Sequence, residues 1–66
     1  MKPGELRTFN RRMAVRGGVA PIGKPFILLE PVLEEPSFYK RWYILIDGKQ
    51  DILDEHVLAR FTDEVR

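Results

Sequence analysis

The 66-residue chain has no cysteine, one histidine (His56), one serine (Ser37) and one tryptophan (Trp42). Without thiols no disulfide can staple a small fold, and one imidazole with no thiolate cannot build a structural zinc site. No apolar run approaches the ~20 residues of a bilayer-spanning helix. Met1-Lys2-Pro3-Gly4 leads into no signal-peptide core. The chain therefore reads as soluble and intracellular.

What it does have is ordinary globular material, 44% hydrophobic and 32% charged residues. Its length suits one small domain covering 1–66. Folding at this size buries only ~60% of the surface that the unfolded chain exposes, so stability is thin. With staples and zinc excluded, a compact core, a partner or both must supply it.

The net charge of +1 hides a skew along the chain. Residues 1–25 hold six basic side chains (Lys2, Arg7, Arg11, Arg12, Arg16 and Lys24) against Glu5 alone, whereas residues 26–66 hold five basic and nine acidic ones. Such a basic arm suits an acidic partner, whether phosphates, an acidic protein face or the acidic half of a neighbouring copy. Solvated surface charge accounts for it equally well.

Prolines divide the middle of the chain. Pro21, Pro25, Pro31 and Pro36 leave no interval long enough for a stable helix. Phe26-Ile27-Leu28-Leu29-Glu30 is therefore extended, with Phe26, Leu28 and Glu30 on one face and Ile27 and Leu29 on the other. Both faces are apolar, which predicts burial on both sides. Next, Phe38 to Ile46 is rich in aromatic and β-branched residues and ends at Asp47-Gly48-Lys49. Alternation puts Phe38, Trp42, Ile44 and Ile46 on a core face, and Tyr39, Arg41, Tyr43 and Leu45 on the opposite one. Asp-Gly suits a two-residue type I′ turn, so Gln50–Leu53 is expected to fold back as the partner strand.

The two ends are less regular. Leu53, Val57, Phe61 and Val65 recur every four residues and suit a helix capped by Asp51 or Asp54. The alternative, preferred here, is one 3₁₀ turn over 54–57 and a final strand over 58–61. At the start, Leu6–Phe9 alternates like an opening strand. Asn10 to Lys24, with Gly17-Gly18, Pro21 and Gly23, reads as a long loop. Met13, Val15, Val19 and Ile22 are too apolar for a solvated loop, so it should pack on its own domain or on another chain.

Strand, long loop, strand, acidic linker, strand, Asp-Gly hairpin, strand, helical turn and short strand is the order of a mainly β, five-stranded SH3-like barrel. Two stretches also resemble very short SH3-like barrel proteins encoded by bacteriophages and their hosts. One is Met1-Lys2-Pro3-Gly4-Glu5-Leu6-Arg7; the other is Trp42 to Lys49 followed by Ile52-Leu53-Asp54-Glu55-His56-Val57-Leu58. The resemblance covers about half the chain. It implies a structural or adaptor component, in a virion or in the cytoplasm of the bacterial host. The loop 10–24 and the Glu34-Glu35-Pro36 linker match nothing in those proteins.

The chemistry available argues against catalysis. His56 follows Asp54 and Glu55 with no nucleophile beside it, and Ser37 lies in a linker. A barrel this small fills its interior with side chains and leaves no pocket. Asp47, Asp51, Asp54 and Glu55 miss the spacing of a calcium loop and suit turn and cap roles, so no metal and no cofactor are expected. Lys40-Arg41 among Phe38, Tyr39, Trp42 and Tyr43 has the mixture of a nucleic-acid surface, with Arg11, Arg12 and Arg16 to extend it. Alternation sends Phe38 and Trp42 to the core, however, and a pI near 8.1 is low for a dedicated nucleic-acid binder. A groove for proline motifs pairs aromatics with an acidic loop, and the loop here is basic. Docking on protein fits best. The expected partner-binding set is Arg11, Arg12, Met13, Val15, Arg16 and Val19 of the loop with Tyr39, Arg41 and Tyr43 of the strand face. The expected partner is a larger virion protein or a further copy of the chain, with a nucleic-acid-binding SH3-like module as the alternative.

Overall fold

A computed structural model describes residues 1–33 and 40–65. Phe38 and Tyr39, and the linker 34–37 with Ser37, lie outside the described residues.

The fold is mainly β. The elements run β1 (Leu6–Phe9), β2 (Met13–Val15), β3 (Gly18–Ala20), β4 (Pro25–Pro31), β5 (Arg41–Ile46), β6 (Lys49–Asp54), α1 (Glu55–Phe61) and β7 (Thr62–Glu64). Five strands form one antiparallel sheet in the order β6-β5-β4-β1-β7, and β2 and β3 form a separate two-stranded sheet. The hairpin β5–β6 forms around Asp47 and Gly48. Both take positive φ, 51° and 73°, as a two-residue turn of this twist requires.

One face of the large sheet carries the core. Phe9, Phe26, Leu28, Trp42, Ile44 and Ile46 point to it, and Ala20 of β3 and Leu58 of α1 close over them. Phe9 and Phe26 pack with ring centroids 4.7 Å apart. The expected core face of β5 is therefore observed for Trp42, Ile44 and Ile46.

Four expectations need correction. The segment 10–24 is not a loop without regular structure. It is the hairpin β2–β3, turning at Arg16-Gly17, with Gly17 and Gly18 at the positive φ that β-branched neighbours could not adopt. The strand around Phe26 is not buried on both sides, because Phe26 and Leu28 are enclosed while Ile27 is exposed. Glu30 does not share the face of Phe26 and Leu28. The register between β4 and β5 shifts between Leu28 and Glu30, and this bulge puts Glu30 opposite outward-facing Tyr43. Finally, residues 55–61 form an α-helix, longer than the expected single turn, and the last strand is 62–64 rather than 58–61. Helical spacing wins there because it drives Leu58 fully into the core and half-buries Val57 and Phe61. Asp54 occupies the N-cap position with extended backbone but makes no side-chain cap bond.

The N- and C-terminal strands meet over a buried cation. Arg7 points inward from β1, pairs with Glu5, and donates to Thr62 Oγ1 and to the carbonyls of Leu58 and Thr62 at the end of α1. The Leu58 carbonyl, in the last turn of the helix, accepts from both Arg7 and the Thr62 hydroxyl, and a cation there also complements the helix dipole. Arg7 is thus part of the interior rather than of a solvated basic arm.

Candidate functional site

The hairpin β2–β3 lies over the core side of the sheet, and its two faces have different fates. Met13 and Val15 are half-buried and pack on the chain's own core, as does Ala20. Val19 is 57% exposed, and Ile22 just beyond the hairpin is 69% exposed. Arg11, Arg12 and Arg16 are exposed. The Arg11 guanidinium stacks 4.4 Å above the Phe61 ring, which orients it without neutralising it. At the tip, the Arg16 amide donates to the Asp51 carboxylate of β6 at 2.7 Å, latching the hairpin to the edge of the large sheet.

Arg41 and Tyr43 lie elsewhere, on the outer face of the large sheet. Both are half-buried. The structure therefore divides the expected site between two sides of the molecule, with Arg11, Arg12 and Val19 on the hairpin and Arg41 and Tyr43 on the sheet. Arg16 connects them, since it lines a shallow depression at the edge of β6 together with Tyr43, Gln50, Asp51 and Ile52. Tyr39 lies outside the described residues.

The outer face holds apolar residues beyond those two. The register aligns Leu6 with Ile27 and Ile27 with Leu45, and the Val65 amide bonds to the Leu6 carbonyl, so all four stand in one row across the sheet. Each is between 37% and 44% exposed. Ile52 stands opposite Tyr43 in the adjoining row. Alternation along β5 already places Leu45 opposite the core face; nothing local to Leu6 or Val65 marks them, because only the pairing brings them into line.

Comparison with family models, curated proteins and solved structures finds no match to this chain. Its chemistry must be read from its own residues.

Asp47 and Asp51 of the second hairpin and Glu55 of α1 are committed to local roles. Asp47 pairs with Lys24 at 2.5 Å, Asp51 accepts from the Arg16 and Ile52 amides, and Glu55 accepts from Trp42 Nε1 at 3.0 Å. A cleft of about 160 Å³ between the two hairpin tips is lined by Arg16, Lys24, Lys49 and Asp47. Among the described residues, no three His, Cys, Asp or Glu side chains gather as a metal-binding group, and no helix is long and apolar enough to cross a membrane.

Proposed function

We propose that the chain is a non-catalytic structural or adaptor domain that docks on a larger protein. The observation that carries this reading is the uncovered row of Leu6, Ile27, Leu45 and Val65, beside Tyr43 and Ile52, on a domain with little core to spare. The partner also carries carboxylates, because Arg11, Arg12 and Arg16 stand exposed on the hairpin segment, on the other side of the sheet from that row. Met13 and Val15 leave the expected docking set, since they are spent on the chain's own core.

The proposal extends to a five-stranded SH3-like barrel as the fold and a phage particle as the setting. The fold is supported by the strand order. The first strand lies beside the last, the meander β4-β5-β6 lies on its other side, and a short helix precedes the closing strand. The setting rests on the resemblance of residues 1–7, 42–49 and 52–58 to phage-encoded small barrels. Peptide mass spectrometry with stoichiometry on particles purified from the source culture tests it. A fixed, multiple copy number supports a virion component, and presence only in the soluble lysate rejects one.

A second reading, a nucleic-acid-binding module, is favoured by one observation, the gathering of Arg16, Lys24 and Lys49 around the cleft between the hairpin tips. It requires affinity for duplex that falls with salt at a log–log slope of about −0.9 per phosphate neutralised. Binding that ignores salt, or no binding, dismisses it.

A further inference from the structure

Strand β6 is one edge of the five-stranded sheet and runs for 6 residues, against 3 for β7 at the other edge. Because the Asp47-Gly48 turn has two residues, Ile46 and Lys49 form the hydrogen-bonded pair that closes the hairpin. Alternation then turns the backbone of Asp51 and Leu53 toward β5 and that of Gln50 and Ile52 away from it. The Ile52 amide agrees with this phase, for it donates to the Asp51 carboxylate at 2.7 Å and not to the neighbouring strand. Among the described residues, no backbone group meets the outward amide and carbonyl of Gln50 or the outward carbonyl of Ile52.

Beside these groups lies the depression lined by Arg16, Tyr43, Gln50, Asp51 and Ile52. The Arg16 guanidinium has no acceptor among the described residues, and Ile52 is exposed. We infer that β6 receives an extended segment of the partner protein as a sixth strand, with an acidic side chain of that segment on Arg16 and an apolar one against Ile52 and Tyr43. Main-chain bonds to Gln50 and Ile52 supply the attachment, and the alternate side chains supply the selectivity. A second copy is the competing occupant, and the register that pairs Gln50 of one β6 with Ile52 of the other sets the two Asp51 side chains against each other. This inference rests on the docking reading above and names the edge and the kind of segment involved.

The test is selection of seven-residue peptides by the full chain from a display library, followed by synthesis of the selected peptide with its backbone amides N-methylated one at a time. The expected peptides carry Asp or Glu at one of the alternate positions. Methylating the amides that face β6 should weaken binding about tenfold each, while the intervening amides tolerate it. Bound peptide should also slow hydrogen exchange at the Gln50 amide. Arg16→Glu should cost about tenfold in affinity with the fold intact by circular dichroism. The inference is overturned by a library that yields no binder, by binding indifferent to methylation, by unchanged exchange at Gln50, or by concentration-dependent protection of Gln50 in the free chain. If Arg11→Glu with Arg12→Glu abolishes partner docking while these edge measurements are negative, the docking reading stands and the sixth strand is rejected.

Discussion

Arg7 Nε donates to Thr62 Oγ1 at 2.7 Å, joining side chains 55 residues apart in the chain inside the protein. The same guanidinium reaches the Leu58 and Thr62 carbonyls and the Glu5 carboxylate, so one side chain ties the opening strand to the helix end and the closing strand. Replacing it by Ala takes this donor from the Glu5 carboxylate and the Thr62 carbonyl in a region shielded from water, whereas the Leu58 carbonyl keeps the Thr62 hydroxyl. We expect Arg7→Ala to lose about 3 kcal/mol in urea unfolding, with Arg11→Ala close to neutral. A loss for Arg7→Ala no larger than that for Arg11→Ala rejects the clamp.

The two faces of the hairpin should separate stability from docking. Met13→Ala and Val15→Ala each remove partly buried methyl groups from the core and should cost about 1 kcal/mol in thermal or denaturant unfolding. Val19→Ser alters an exposed position and should leave unfolding unchanged while weakening partner docking. Equal effects of all three on unfolding would mean that the hairpin has no free apolar side.

The latch between Arg16 and Asp51 makes a kinetic prediction. Asp51→Ala removes the acceptor for the Arg16 amide and for the Ile52 amide. Hydrogen exchange at Arg16 should then accelerate about fivefold, as expected when one hydrogen bond of roughly 1 kcal/mol is lost. Exchange at Ile44, deep in the sheet, should change only by the loss in global stability. An Arg16 amide that exchanges at the same rate in both proteins shows that the tip is held by something else.

Trp42 provides an optical probe. Its indole Nε1 donates to Glu55 Oε2 at 3.0 Å, with the ring buried against the core. Glu55→Ala leaves that donor without its acceptor and should cost about 1–2 kcal/mol, with a shift in tryptophan emission. Glu55→Gln keeps an acceptor and should recover most of the loss. If both variants behave alike, the bond contributes nothing.

Much of the sheet is legible in the sequence because its signals are local. Asp47-Gly48 fixes a turn through φ, and the alternation of Trp42, Ile44 and Ile46 fixes which face is buried. The bulge at Leu28–Glu30 is not legible: it arises from how β4 must bend against β5, and it reverses the face of Glu30. The hairpin β2–β3 was hidden by its own glycines, which signal a break and here serve a turn between two three-residue strands. Arg7 carried no sign of burial, since its partners Leu58 and Thr62 come from the far end of the chain. The candidate surface follows the same division. Tyr43 and Arg16 are visible as residue types, whereas the row from Val65 to Leu45 exists only once four strands are in register.

The pairing of β1 with β7 also sets an order of events in time. The hairpin β5–β6 closes a loop of two residues and can form within microseconds, whereas β1 must wait for the whole intervening chain before its second neighbour exists. During synthesis, the opening strand therefore leaves the ribosome long before the strand that completes its ladder. Until then its inward arginine has no Thr62 to hold, and its outward edge is free to find another strand.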